Sequence, residues 1–285
     1  MRCSPNPLRN IKSAVDFVNL ASREGAELCV LPELFANRYV GQVDDAYASR
    51  FKPPDHVDLL NRFAELSRAL SVAIVLPFAE RIDAGTMYNS LTVFDSNGKA
   101  RGLYRKIHVP NSEGYREDLH FKPGDLGYVV APVGKTKLGL AICWDQWFPE
   151  VSRTLALKGA QLIVYPSAIG SEVAVPEFDS RPSWELVMRA QAVMNRVFVA
   201  AVNRVGQEEM IRFYGSSFVS DVWGNVLRRA SRTRPEVVYA DLDLAQIREA
   251  NKFFGFFDAR RPETYGTILQ EVDSQGRLSS RRGRR

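Results

Sequence analysis

The stretch LGLAICWDQWFPE, Leu138 to Glu150, indicates the fold more clearly than any other part of the chain. Its apolar half is typical of a buried strand that stops at Cys143, and a helix is expected about six residues later, near Pro149. A turn from strand to helix exposes a nucleophile and points backbone N–H groups at its reaction partner. Cys143 is therefore a candidate nucleophile, although an inert buried cysteine would fit the same position.

Buried strands and amphipathic helices alternate on both sides of this stretch. Gly25 is expected to end the first helix and Asp55 to cap the second. Helices are predicted over residues 11–24, 56–70, 149–158 and 183–195. Strands are predicted over residues 28–31, 72–78, 90–94, 101–109, 128–133, 138–143, 162–165, 198–202, 217–221, 226–229 and 237–242. The alternation predicts one α/β domain with helices outside and mixed sheets inside, two of them packed face to face.

Two further reactive residues follow predicted strands, where ligands of α/β folds gather. Glu33 comes after an apolar run and a proline, and burial would give its carboxyl a raised pKa that suits a general base. Lys106 is predicted to share a strand face with Tyr104 and His108. A surface acid at Glu33 and an exposed edge-strand lysine at Lys106 are the alternatives.

Length and composition fit an ordinary soluble globular protein. The chain has 285 residues, of which 45% are hydrophobic and 25% charged, enough for one large domain or two small ones. No apolar run approaches the length of a transmembrane helix, and the first residues lack the apolar core of a secretory signal. We therefore expect neither membrane association nor export.

The formal charge of +5 comes from the C-terminal end of the chain. Residues 274–285 contain five arginines and no acid, so the remainder is neutral. A short polar terminus of this kind is expected to be a disordered tail, residues 1–273 forming the domain. A role of the tail in binding anions is the alternative, but no nucleic-acid partner is expected.

The cysteines and histidines indicate neither disulfides nor metal. Three cysteines, Cys3, Cys29 and Cys143, are far apart in the sequence, which favours a reducing cytoplasm. The three histidines have no metal-ligand spacing and no C-x-x-C motif occurs, so no metal site is expected.

Together, three motifs resemble those of the nitrilase (carbon–nitrogen hydrolase) superfamily, in the same order along the chain. They are LPELF at residues 31–35, RKIH at residues 105–108 and CWD at residues 143–145. The stretches PSAIGSE at 166–172, FYGSSF at 213–218 and DARRP at 258–262 support the resemblance, which covers nearly the whole chain. Within this superfamily, the chain is most similar to the N-carbamoylputrescine amidases.

The resemblance implies a four-layer αββα sandwich with a site formed by Glu33, Lys106 and Cys143. Cys143 would be the nucleophile, Glu33 the general base and Lys106 the stabiliser of the negative oxygen. A second active-site glutamate is implied after the lysine strand, where Glu117 matches and Glu113 competes. The resemblance further implies no cofactor, a homo-oligomer, and an apolar first strand of which this sequence contains only the end.

The implied activity is cysteine-dependent hydrolysis of the carbamoyl C–N bond of N-carbamoylputrescine. The distal ammonium of such a small-molecule substrate needs a carboxylate or an aromatic face. The candidates for this contact are Trp144, Trp147, Glu172, Asp179 and Trp184.

Three alternatives stay open. A related amidase acting on an ω-amide or on carbamoyl-β-alanine would need an arginine such as Arg181 or Arg189 to bind the substrate carboxylate. Gln191 stands where N-carbamoylputrescine amidases often have histidine, which bears on the substrate and not on the chemistry. A binding protein that keeps the fold without activity is the alternative from another class, and a nucleic-acid binder acting through the arginine tail is the third.

Overall fold

A computed structural model describes residues 1–42, 51–172, 175, 177–272 and 278, with the side chain of Glu172 outside the described part. In this part the chain forms five α-helices: α1 (Pro7–Arg23), α2 (His56–Leu70), α3 (Pro149–Leu157), α4 (Arg181–Asn195) and α5 (Ala245–Phe253). None of them is both long and apolar enough to cross a membrane. The predicted tail over residues 274–285 lies outside the described residues except for Leu278, which is exposed.

Strands β1–β4 form the first of three sheets, in sequential order. They are β1 (Leu28–Val30), β2 (Ala73–Arg81), β3 (Met87–Phe94) and β4 (Ala100–Arg105). β1 pairs with β2 in parallel, and the other neighbours are antiparallel, so this sheet is mixed as predicted.

The second sheet has six strands in the order β13-β12-β9-β7-β6-β5. They are β5 (Val129–Val133), β6 (Thr136–Leu140), β7 (Leu162–Ser167), β9 (Phe198–Asn203), β12 (Phe218–Ser220) and β13 (Val226–Arg229). β6, β7 and β9 are parallel neighbours, whereas the outer pairs are antiparallel. A small third sheet contains β8 (Gly170–Glu172), β10 (Val205–Gln207) and β11 (Ile211–Tyr214).

The alternation of side chains along β2 shows how the layers pack. Ala73 and Val75 belong to the central core between the two large sheets, whereas Ile74 and Leu76 face α1 and α2 in the outer core. Nearly all of β2 is buried because both of its faces are covered, which explains its continuous apolar sequence. With α3 and α4 covering the six-stranded sheet, the result is the expected four-layer αββα sandwich.

Several predicted boundaries differ from the structure. The strand predicted over residues 138–143 ends at Leu140, and the next residues form a turn. The strand predicted over 101–109 ends at Arg105, and residues 237–242 form no strand. The third sheet was not predicted, because strands of three or four residues show almost no periodicity. The nine-residue helix α5 was not predicted either.

Asp55 caps α2 as predicted, through hydrogen bonds that its side chain accepts from Val57 N and Asp58 N. Residues 1–4 form no strand. The Met1 carbonyl accepts a hydrogen bond from Val205 N, and both Met1 and Cys3 are buried.

Gly102 on β4 lies where the two large sheets approach each other. A Cβ atom there would be 3.1 Å from Val129 Cγ1 and 3.2 Å from the Ala131 Cβ. We predict that Gly102→Val lowers the free energy of unfolding by about 1–3 kcal/mol, because the added carbons force the sheets apart. Urea unfolding measures this, with the exposed Gly85→Val as the matched control, expected within about 0.5 kcal/mol of wild type. Equal effects at both positions would contradict the packing described here.

Candidate active site

The structure brings the four predicted catalytic side chains together between the two large sheets. Glu33 follows β1, Lys106 follows β4, Cys143 begins the turn after β6, and Glu117 lies in the long loop after β4. All four are almost completely buried. The alternatives of a surface acid at Glu33 and an exposed lysine at Lys106 are therefore wrong.

Lys106 lies between the two carboxylates. Its Nζ donates to Glu33 Oε1 at 2.8 Å, to Glu117 Oε1 at 2.7 Å and to Glu117 Oε2 at 2.8 Å. All three side chains have no exposed area, so these are buried ion pairs shielded from bulk water. Glu113, the competitor for the second position, is exposed, and Glu117 is therefore the second glutamate of this cluster.

Two residues that the sequence did not identify hold the carboxylates. Asn89 on β3 donates from Nδ2 to Glu33 Oε1 at 2.7 Å and to Glu117 Oε2 at 3.1 Å. The Tyr39 hydroxyl donates to Glu117 Oε1 at 2.6 Å. Glu33 Oε2 accepts no hydrogen bond within the described part of the chain, so this oxygen can take a proton.

Cys143 has an unusual backbone conformation. Its φ of 42° is in the left-handed region, and it opens a short 3₁₀ helix, Cys143–Trp147. Such a conformation costs of order 1–3 kcal/mol and persists when neighbouring contacts fix it.

The buried Asp145 supplies these contacts. Its carboxylate accepts hydrogen bonds from Ile142 N at 2.9 Å and from the Tyr104 hydroxyl at 2.7 Å. His108 Nδ1 lies 2.8 Å from Asp145 Oδ1, and the His108 ring stacks on Phe148. Tyr104 and His108 thus hold the turn that carries Cys143, the candidate nucleophile.

Burial and charge shift the pKa values of the cluster. Burial raises the pKa of Glu33, and the nearby Glu117 adds to the effect, while Lys106 opposes it. Burial alone would lower the pKa of Lys106, but Glu117 and Glu33 hold that pKa above its ordinary value. Burial, together with Glu33, holds the pKa of the Cys143 thiol well above its ordinary value. The resting cluster therefore contains a neutral thiol, an ammonium and, at Glu33, a carboxyl group that binds a proton more readily than an ordinary glutamate.

A pocket of about 340 Å³ reaches Cys143. Aromatic rings form much of its wall, from Tyr39, Tyr115, Trp144, Trp147 and Phe178. No charged side chain is among the described residues of this wall.

The structure places the candidate substrate-binding residues in different surroundings. Trp144 and Trp147 line the pocket. Asp179 does not, because its exposed carboxylate pairs with Arg232 and accepts from Arg181 N. Trp184 is fully buried in the core, where its Nε1 donates to Gln146 Oε1 at 2.9 Å. The side chain of Glu172 lies outside the described residues.

The other residues considered for specificity are engaged elsewhere. Arg181 and Arg189 both lie beside Glu185 on α4, and Arg189 also donates to the Gly224 carbonyl. Gln191 is buried, donating to the Gln146 carbonyl at 2.6 Å and accepting from the Tyr165 hydroxyl. Within the described residues, no group of three or more His, Cys, Asp or Glu side chains is placed to hold a metal ion.

The carbon–nitrogen hydrolase family model matches residues 4–252. The chain therefore belongs to the carbon–nitrogen hydrolase family, and it is an enzyme that acts on amide C–N bonds.

Among curated relatives, the chain is 35% identical to a citrullinase of Francisella tularensis subsp. tularensis over 93% of its own length and 94% of the relative's. It is 36% identical to an N-carbamoylputrescine amidase of Arabidopsis thaliana, over 94% and 92% of the two chains.

The solved structure of a carbon-nitrogen hydrolase from Helicobacter pylori G27 superposes with a TM-score of 0.90 at 32% identity, covering 95% of this chain and 96% of that one. A variant amidase from Nesterenkonia sp. AN1 carries the acetamide moiety of fluoroacetamide covalently added at its active site cysteine. It matches with a TM-score of 0.77 at 25% identity, covering 92% and 91% of the chains.

The three cysteines should differ in reactivity. All are free and buried, but of the three only Cys143 is among the described residues lining the pocket. Burial raises the pKa of Cys3, and raises the pKa of Cys29 to about 11. We predict that iodoacetamide modifies Cys143 at least about tenfold faster than the other two, because Glu33 can accept its proton. Peptide mapping by mass spectrometry measures the three rates, with Cys143→Ser as the control, and faster labelling of Cys3 or Cys29 would contradict it.

Proposed function

We propose that this enzyme hydrolyses the carbamoyl C–N bond of N-carbamoylputrescine, giving putrescine, carbon dioxide and ammonia. The observation that carries the proposal is the buried cluster of Cys143, Glu33, Lys106 and Glu117 at the end of an aromatic pocket that lacks a charged side chain among its described residues. The alternative of a binding protein without activity is disfavoured, because buried ion pairs beside a strained cysteine are costly to keep without a function.

In the first half of the reaction, Glu33 Oε2 accepts the Cys143 thiol proton and the sulfur attacks the carbamoyl carbon. The C–N bond to the substrate amine then breaks, and the amine leaves with the proton from Glu33. This step forms a thioester-like carbamoyl group on the sulfur. Glu117 keeps Lys106 and Glu33 in place through the shared hydrogen bonds.

In the second half, Glu33 takes a proton from water and the resulting hydroxide attacks the carbamoyl carbon. The C–S bond breaks, and Cys143 recovers its proton from Glu33. The carbamic acid released decomposes to carbon dioxide and ammonia. The enzyme returns to its starting protonation state, so no cofactor is needed.

Typical rate effects of thiol ionisation and of oxyanion stabilisation indicate the main role of Lys106. An ordinary thiol with a pKa of about 8.5 is roughly 3% ionised at pH 7. Burial lowers the ionised fraction of Cys143 further, so Glu33 has to remove the thiol proton. One donor to the developing oxyanion is typically worth about 10²–10³ in rate. Lys106 therefore acts chiefly by stabilising the negative oxygen, with the Trp144 backbone N–H as a second donor.

The pocket wall favours a cationic end group over an anionic one. The faces of Trp144, Trp147 and Phe178 can bind an alkylammonium through cation–π contacts. A carboxylate substrate would need an arginine, and Arg181 and Arg189 lie beside Glu185 instead. This favours N-carbamoylputrescine over carbamoyl-β-alanine and over citrulline, the substrate that the Francisella relative's name implies for that protein.

We further propose a place in polyamine synthesis, a cytoplasmic location and a homo-oligomer. Free cysteines suit a reducing compartment. An apolar surface formed by exposed parts of Trp223, Phe253, Phe254 and Phe256 is suited to cover a second copy of the chain.

Ammonia release from four compounds tests the substrate proposal: N-carbamoylputrescine, L-citrulline, carbamoyl-β-alanine and a simple ω-amide. We predict the highest kcat/KM for N-carbamoylputrescine, because only this substrate presents a lone ammonium to the aromatic wall. Cys143→Ser is the control and should abolish release. Preference for another compound would be consistent with the proposed cysteine-dependent hydrolysis but would contradict N-carbamoylputrescine as the substrate. No ammonia release from any of the four compounds by folded enzyme would contradict the proposed activity.

A further inference from the structure

Arg204 is a completely buried arginine that the reaction described above does not use. It follows β9, and its guanidinium donates to the backbone of the segment that carries the general base. Nη2 donates to the Glu33 carbonyl at 2.7 Å and to the Leu34 carbonyl at 3.0 Å, and Nη1 donates to the Asn37 carbonyl at 3.2 Å. One side chain thus satisfies three backbone carbonyls.

This segment needs such support, because its backbone is strained. Leu34 has a φ of 46°, a conformation that a leucine rarely adopts. The strained residue directly follows Glu33, so relaxation of its backbone would move the Glu33 carboxylate away from Lys106 and Cys143. The Arg204 hydrogen bonds to the carbonyls of Glu33 and Leu34 oppose that movement.

Glu208 extends the same support to the second carboxylate. Its Oε1 accepts from Arg204 Nη1 at 2.8 Å, and its Oε2 accepts from Tyr39 N at 2.7 Å and from Gln42 Nε2 at 2.9 Å. The Tyr39 hydroxyl donates in turn to Glu117 Oε1. A single buried ion pair is therefore connected to both glutamates of the site, by backbone contacts on one side and through Tyr39 on the other.

We propose that Arg204 and Glu208 are positioning residues, which hold Glu33 and Glu117 at the distances that the reaction at Cys143 requires. The proposal rests on the function proposed above, in which Glu33 is the general base. A displacement of about 1 Å in a reacting group can lower a rate by about 10²-fold, so a small change in this pair should be measurable.

A purely structural role of the pair makes a different prediction. Loss of a buried ion pair would then lower the stability and the folded fraction, but each folded molecule would react as before. If the pair positions the base, a variant of the pair reacts more slowly at Cys143 even when folded, and the loss of rate depends on pH. The loss is large when Glu33 must remove the thiol proton, and it decreases at alkaline pH, where hydroxide can remove that proton.

The experiment compares Arg204→Lys and Glu208→Gln with wild type. Lysine keeps the charge but cannot reach three carbonyls and a carboxylate with one nitrogen. In Glu208→Gln, one oxygen becomes an amide nitrogen, so the side chain can no longer accept from both Arg204 and Tyr39. Arg196→Lys is the matched control, because Arg196 is also buried but lies against the rings of Trp223, Phe254 and Phe256.

Two kinds of measurement are made, and thermal unfolding gives the folded fraction by which rates are corrected. The first is the rate constant of Cys143 alkylation by iodoacetamide between pH 7 and 10, and the second is kcat and KM on the substrate that wild type prefers. We expect Arg204→Lys to slow alkylation at pH 7 and to lower kcat at least about tenfold, with KM within about twofold. The ratio of wild-type to variant alkylation rates should decrease toward pH 10, Glu208→Gln should show the same trend, and Arg196→Lys should match wild type.

Equal alkylation rates per folded molecule, or a ratio that does not change with pH, would overturn the proposal. If Arg204→Lys does not fold, Glu208→Gln decides the question by the same criteria. Alkylation does not depend on which substrate the enzyme prefers. A failure of the positioning role can therefore be distinguished from an incorrect substrate assignment. A Glu33→Gln variant that alkylates at Cys143 as fast as wild type would instead reject Glu33 as the general base.

Discussion

The ammonium of Lys106, held between Glu33 and Glu117 away from water, is the interaction on which the site depends. Burial and the nearby Glu117 carboxylate both raise the pKa of Glu33, and the positive charge of Lys106 opposes them. Removing one partner of a buried ion pair typically costs about 3–5 kcal/mol, because the remaining charge is left unpaired. The same arrangement leaves one oxygen of Glu33 able to accept a proton beside Cys143.

Both large sheets of the sandwich contribute residues to this cluster. Glu33 and Lys106 follow strands of the four-stranded sheet, and Cys143 follows a strand of the six-stranded sheet. The two sheets therefore have to pack in one register for the site to exist. Leu34 and Cys143 both have positive φ, so backbone strain lies next to Glu33, the proposed base, and at Cys143, the proposed nucleophile. This pattern is typical of functional sites, where surrounding hydrogen bonds fix an otherwise unfavourable conformation.

The sequence predicted the residues whose chemistry and motif are both distinctive, and it failed where only three-dimensional contacts assign a role. Apolar strands and the reactive residues after them indicated sheets covered by helices and three candidate residues. The four-layer order, a joint site of Glu33, Lys106 and Cys143, and the role of Glu117 were implied by the resemblance to the nitrilase superfamily. Asn89 and Arg204 were missed because a polar residue at a strand end resembles a solvated one until its partners are known. The ion pair of Asp179, one of the candidates for binding the substrate ammonium, could not be predicted either, because its partner Arg232 is distant in sequence.

The pH dependence of Cys143 alkylation in wild type and in Lys106→Met tests the central role of Lys106 most directly. The positive charge of Lys106 lowers the pKa values of both Glu33 and Cys143, so its removal should raise both. Alkylation requires deprotonation, and its midpoint should therefore move to higher pH in the variant, in a protein that thermal unfolding shows to be folded. An unchanged midpoint, or one at lower pH, would contradict the role of Lys106 as the charge that organises this site.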